Sequence, residues 1–388
     1  MGRWGGSWGG GVGRGLIQIA DVVGLCGVSF LPVFISVCVF HIASRFVRTR
    51  HIGWDALAAI VCLTAWLIYA HVRIGALSQV TDSTTISVSL VQRNVPQAEK
   101  FQWDIDAEAV TRQYQRSAEL TREHAEAREG AKPVDLVVWP ESAVPMPLFA
   151  AAEHEQYFNS ILALGGFSLM TGTEVQMPDG PWHNSAVLMR GSFANHQLYH
   201  KAHLVPFGEF LPFRDTFPFS LLAGVLPGNF TPGTSFEPLR LEKPEIGIIS
   251  LICFEDTIGR VARKFVRAGP QLIVNITNDG WFILSAETEI HTANSIFRAI
   301  ELRRPMVRAC STGVTCVIDP TGRITSRLED ATSKSTFIEG VLRADIPMPL
   351  HPPITTYARW GDWFSVLCLV IAVIASLWRR AEPSLKVA

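Results

Sequence analysis

Hydrophobic and polar positions divide the chain into two regimes. Within residues 16–43 the stretch IADVVGLCGVSFLPVFISVCVFHIA exceeds the roughly 20 apolar residues that a bilayer-crossing helix requires. It predicts a membrane span, with Pro32 as its expected interruption. A second apolar run, WDALAAIVCLTAWLIYA at 54–70, gives way to His71 and Arg73, residues that can anchor a helix at the membrane interface. A third, WFSVLCLVIAVIASLW at 363–378, is bracketed by Trp360, Trp363 and Trp378 and followed by Arg379 and Arg380, as an aromatic belt and a basic flank would be arranged. The expected organisation is a two-helix membrane region over 16–77 and a C-terminal membrane helix over 360–380, with a catalytic-sized segment, 86–348, between them.

That middle segment changes period. Short apolar runs typical of buried strands (TISVSLVQ, DLVVWP, FSLMTGTE, NSAVLMR, IGIISLICF, QLIVNIT) alternate with helical patterns near 104–129, 153–164, 257–268 and 286–302. Paired strands are expected around MVRACSTGVTCVI, closed by the turn DPTG. Such alternation predicts an α/β domain with helices covering a buried sheet, and the segment is long enough for one large core.

Composition sharpens this picture. The chain is 48% hydrophobic with a mean hydropathy of +0.22, too apolar for an ordinary soluble enzyme and too charged for an all-membrane protein. Its 34 basic and 35 acidic residues nearly cancel, so no nucleic-acid partner is expected. Basic residues cluster instead in the short loop 44–53 (Arg45, Arg48, Arg50) and the tail (Arg379, Arg380, Lys386). By the positive-inside rule both face the cytoplasm, which places 86–348 on the outer, periplasmic face. Residues 1–15 are glycine-rich and read as a flexible lead. Of the seven cysteines, Cys26, Cys38, Cys62 and Cys368 lie in apolar runs, where a thiol acts as a small hydrophobe. Cys253, Cys310 and Cys316 form neither a zinc pattern nor a disulfide framework.

Cys253 ends the strand-like GIISLIC and is followed at once by Phe254, Glu255 and Asp256, a strand-to-helix setting that can expose a nucleophile and aim backbone N–H groups at an oxyanion. Glu141 ends DLVVWPE beside Trp139 and Pro140, where a poorly solvated carboxylate could act as a general base. Lys201 sits among aromatic and aliphatic residues in YHKAHLVPFGEFLPF, and Glu209 lies eight positions on. Glu209 can keep the lysine charged, and the ammonium could lower the thiol pKa of Cys253 and stabilise an oxyanion. Taken singly, these would read as a core cysteine, a loop acid and a surface ion pair; their combination is what suggests catalysis. His196, His200 and His203 have ligand-like spacing but lack an HExxH pattern, so polar loop histidines are expected and no metal or cofactor.

WPES (139–142), KAHLVPFGEFLP (201–212) and LICFED (251–256) together resemble the Glu-Lys-Cys triad of the nitrilase superfamily. LVQRNVPQ (90–97), QLIVNITNDGWF (271–282), RAIELRRPMVRACSTGVT (298–315) and the membrane segment QIADVVGLCGVSF (18–30) narrow the resemblance to the apolipoprotein N-acyltransferase family, over nearly the whole chain from residue 16. The resemblance implies an αββα sandwich flanked by transmembrane helices, in the cytoplasmic (inner) membrane. It implies transfer of a fatty acyl chain from a phospholipid donor to the N-terminal amine of a diacylated apolipoprotein. Cys253 would form an acyl thioester, Glu141 would be the base, and Lys201 would stabilise tetrahedral intermediates. Glu209, Glu255 and Phe254 would support them, and Trp103 in FQWD would lie near the substrate entrance.

Two rival readings share these residues. A membrane-tethered amidase would use the same acyl-enzyme chemistry with water as acceptor and a small closed pocket. A shortened, non-catalytic membrane protein would keep the motifs by descent. The resemblance also implies a longer N-terminal membrane domain, so either a gene start placed too far downstream or a natural truncation is expected.

Overall fold

The computed structural model describes residues 11–51, 53–78, 82–95, 107–126, 133–144, 147–150, 152–176, 180–214, 229–282 and 285–381. Trp103 lies outside them. Within them the chain opens with three helices: α1 (Gly11–Leu16), α2 (Ala20–Thr49) and α3 (Trp54–Ser78). It then passes through β1 (Ser83–Gln92), α4 (Ala107–Glu126), β2 (Leu136–Val138), α5 (Ala152–Leu162), β3 (Ser168–Gln176), β4 (Trp182–Arg190) and β5 (Ser192–His200). The second half holds β6 (Leu239–Glu242), β7 (Glu245–Ile252), the single turn α6 (Gly259–Ala262), β8 (Gln271–Thr277), α7 (Glu287–Leu302), β9 (Met306–Cys310), β10 (Cys316–Ile318), β11 (Ile324–Arg327) and β12 (Gly340–Pro349). Helices α8 (Thr356–Trp360) and α9 (Trp363–Ala381) close it.

Two six-stranded sheets form the centre, ordered β12-β1-β2-β3-β4-β5 and β11-β10-β9-β8-β7-β6. The inner strands β1, β2 and β3 run parallel, as do β7, β8 and β9, and each sheet is finished by antiparallel strands. Alternation along each strand divides its side chains between two layers. Leu136 and Val138 join the core between the sheets with Ile249, Leu251 and Ile273. Their neighbours Val137 and Trp139 pack with Ala118 and Phe158 of α4 and α5. Val261 and Ala262 of α6 and Ala299 and Leu302 of α7 pack with the second sheet. The result is the αββα layering.

The helix anticipated over 257–268 is instead a broken series: a 3-10 turn at Cys253–Thr257, α6, and a 3-10 turn at Arg263–Phe265. Strands β5, β6, β11 and β12 lack the continuous apolar runs that marked the inner ones, β5 reading SFANHQLYH. They are the edge strands of their sheets, where polar side chains keep water.

Helices α2 and α3 are long and apolar enough to cross a membrane, and α9 carries a shorter apolar segment, Trp363–Trp378. Many of their large apolar side chains, including Phe40, Ile60, Ile68, Leu369 and Ile374, face outward. The break in α2 is at Gly24, whose φ of 69° is left-handed and whose missing Cβ leaves room for the Tyr357 ring. Pro32 is carried within the helix, and its carbonyl accepts from Ser36, so the interruption expected there is displaced by two turns. The helices are tied to the sandwich by buried polar contacts. Arg303 donates to Asp21 (2.9 Å) and to Gln18, Arg73 also reaches Asp21 (2.7 Å), and Trp363 donates to the Val22 carbonyl.

Candidate active site

The site forms where β2, β5 and β7 end. Cys253 directly follows β7 with a φ of 50°, a left-handed conformation that a non-glycine residue holds only when its surroundings enforce it. The Glu255 carboxylate enforces it here. It accepts from the backbone N–H of Ile252 (2.9 Å), from those of Ala202 (2.8 Å) and His203 (3.0 Å), and from the Tyr199 hydroxyl (2.8 Å). One buried acid thereby ties the Cys253 turn to the loop that carries Lys201. Burial raises Glu255 to about 7, although its donors and Lys201 oppose the rise. From the other side the Asn275 side chain donates to the Cys253 carbonyl (3.1 Å).

Glu141 follows β2 after the fully buried Trp139, whose indole donates to Thr121 (3.0 Å). The close approach of β3 holds this segment: Gly172 accepts from Ala143 N–H (3.0 Å), and a Cβ on Gly172 would stand 2.7 Å from the Glu141 Cα. Lys201, 1% exposed, follows β5. Its Nζ donates to Glu209 Oε1 (2.8 Å) and stands 3.6 Å from Glu141 Oε1. Glu209 is itself fixed in the PFGE turn by the Val205 N–H (2.7 Å).

The residue that joins these acids is Asn184 at the start of β4. Its side-chain amide nitrogen donates to Glu141 Oε1 (3.0 Å) and Glu209 Oε1 (2.8 Å), and its backbone carbonyl accepts from the backbone N–H of Lys201 (2.8 Å). Two carboxylates and one ammonium thus share a site with every charge hydrogen-bonded, which a buried cluster requires. Sequence reasoning passed over Asn184 because nothing in NSAVLMR distinguishes it from a residue that opens a strand.

Electrostatics assign resting protonation. Burial opposes the Lys201 charge, but Glu141, the Cys253 sulfur and Glu209 outweigh it and hold the ammonium above its ordinary range. Burial pushes the Cys253 thiol well up and Glu141 adds to the push, while Lys201 and Thr277 counter only part of it. The lysine pulls in the direction anticipated from the sequence, yet the net direction is opposite: at rest the sulfur keeps its proton. Phe254 beside it is 45% exposed. Of the three histidines, His196 and His200 stand on β5 and not in a loop, bonded to Phe193 and Ser185 respectively. Four residue steps along the strand separate them by about 13 Å.

The sequence profile of the carbon-nitrogen hydrolase family matches residues 88–350. An apolipoprotein N-acyltransferase of Geobacter metallireducens is 35% identical over 377 residues, covering 95% of this chain and 68% of its own. The chain belongs to the apolipoprotein N-acyltransferase family. A Bradyrhizobium diazoefficiens N-acyltransferase is 33% identical over 94% of this chain and 67% of its own. The solved carbon-nitrogen hydrolase of Helicobacter pylori G27 is 16% identical, with a TM-score of 0.48, over 68% of this chain and 89% of that one. In this member of the N-acyltransferase family, Glu141, Lys201 and Cys253 converge from three strand ends, with Asn184, Glu209 and Glu255 as the hydrogen-bonding frame around them.

Proposed function

We propose that this protein transfers a fatty acyl chain from a membrane phospholipid, through a thioester on Cys253, to the N-terminal amine of the diacylglyceryl-cysteine of apolipoproteins. The observation that carries the reading is the meeting of a buried lysine, a carboxylate pair and a strand-end cysteine in a chain that also holds long outward-facing apolar helices. Glu141 accepts the thiol proton as sulfur attacks the ester carbonyl, because a thiol held above its ordinary pKa needs a base in place. The Lys201 ammonium faces the resulting oxyanion. Collapse breaks the ester C–O bond, and the departing lysophospholipid alkoxide takes the proton from Glu141. In the second half the lipoprotein amine attacks the thioester carbonyl, Glu141 takes the amine proton, and the C–S bond breaks. The sulfur then recovers that proton.

Exposed Phe207, Phe213, Phe254, Trp281 and Phe282 follow the ends of β5, β7 and β8, a surface suited to acyl chains and poorly suited to water. In this reading α2, α3 and α9 cross the cytoplasmic membrane and the sandwich stands on its outer face, with Arg45, Arg48 and Arg50 inside. The test is mass spectrometry of the protein after incubation with phospholipid vesicles. A hydroxylamine-labile fatty-acyl adduct on Cys253 that moves to a diacylated lipopeptide amine is the expected result. Loss of the adduct to water with no transfer to the amine would indicate an amidase or esterase instead.

A further inference from the structure

Behind the nucleophile lies a buried polar group that the reaction scheme does not use. Strand β8 runs parallel to β7 with Ile276 opposite Ile252, so the next residue, Thr277, lies beside Cys253. Thr277 is fully buried; the strand register sets it beside Cys253, and it acts on the thiol against the upward push of burial. Its other neighbour is Asp279, whose Oδ1 is 3.3 Å away. Asp279 hardly needs that hydrogen. Its carboxylate is already served by Arg308 Nη2 (2.7 and 2.9 Å) and His291 Nδ1 (2.9 Å). His291 in turn is held by Asp256, and Arg308 is anchored by Asp256 and Asn275. The bond from Thr277 is the longest of the set, and a hydroxyl has one hydrogen to give.

We propose that the Thr277 hydroxyl is a catalytic donor to Cys253: it turns from Asp279 to the sulfur when the thiolate forms and back to Asp279 when the sulfur is acylated. No covalent bond to Thr277 forms or breaks. Its proton stays on oxygen, and only the acceptor changes. The thiolate appears twice in the cycle, as attacking group and as leaving group, and in both it lies near the charge of Asp279. A hydroxyl placed between the two like charges stabilises the sulfur at the moment it is charged.

The assignment rests on Cys253 being the nucleophile, so its test uses a reaction independent of lipid. The rate of Cys253 alkylation by iodoacetamide is measured between pH 7 and 10 in the full-length protein, wild type against Thr277→Val and Thr277→Ser. Loss of a hydrogen bond to a charged atom predicts alkylation slower by about tenfold or more at each pH in T277V, with T277S close to wild type. Acyl transfer should fall in parallel. A misfolded fraction would lower the amount of protein labelled and leave the rate of the remainder unchanged. Wild-type alkylation rates in T277V while phospholipid still acylates Cys253 would overturn the assignment alone. A slowed T277V in a protein that phospholipid never acylates would support the assignment and sink the acyl-transfer reading.

Discussion

At the scale of the residue, Glu141 does two opposing things to Cys253. Its charge helps hold the thiol protonated, and in the proposed reaction it is also the base that takes that proton. The two effects separate on substitution. Glu141→Gln removes the charge and the base together, so acyl transfer should fall by about 10²- to 10⁴-fold while alkylation of Cys253 at pH 8 becomes faster. Transfer assays beside iodoacetamide kinetics check this; slower alkylation in E141Q would contradict the carboxylate's raising of the thiol, and an unchanged rate would show that it does not act on the sulfur. The strand-end motifs singled out Glu141, Lys201 and Cys253, and the fold brings them to one site. Asn184 and Thr277 were not readable, because a bridging amide and a buried hydroxyl acquire meaning only from what lies across the sheet.

At the scale of the element, geometry is set by how closely strands approach. Gly172 in β3 lies against the Pro140-Glu141 backbone, and the contact leaves no space for a side chain. Gly172→Ala should displace Glu141 by a fraction of an ångström to about 1 Å and reduce transfer by up to about 10²-fold. Its cost in stability should be about 1–3 kcal/mol. Transfer kinetics of the variant beside its Cys253 alkylation rate would check this, since alkylation needs no aligned substrate and should change far less. The inner strands β1, β2, β3, β7 and β8 carry continuous apolar runs and were legible for that reason. The segment after Cys253 was misread as one helix, since its path is set by Glu255 gripping three backbone N–H groups and not by periodicity.

At the scale of the whole molecule, a buried ionic network joins α7, β9 and the turns that follow β7 and β8 through His291, Asp256, Asp279 and Arg308. Burial and Arg308 pull His291 down, but Asp256 and Asp279 prevail and raise it to about 9. A histidine raised on folding contributes stability that is whole below its unfolded value, about 6.5, and lost as pH rises through 9. The contribution is on the order of 3 kcal/mol. Burial raises Glu255 and Glu301 to about 7, so stability also declines as pH rises from their unfolded range toward 7. The thermal midpoint in detergent should therefore fall steadily between pH 5.5 and 9.5. His291→Gln should start lower and lose the part of the decline above pH 7. A midpoint that rises with pH over this range would contradict the network's charge assignment.

The sequence by itself determined what is local. Apolar run length marked α2, α3 and the α9 segment, strand periodicity marked the inner sheets, and three strand-end motifs marked the candidate site. Each of these signals resides in consecutive residues. Only the tertiary structure decided the rest: the break at Gly24 and not at Pro32, the amide that links two acids, the clamp on the nucleophile turn, and the net upward push on the Cys253 thiol. A hydrogen-bond partner lies across the fold, and a pKa is a sum over every neighbouring charge and over burial. Neither can be read from chain neighbours, because folding alone brings those groups together.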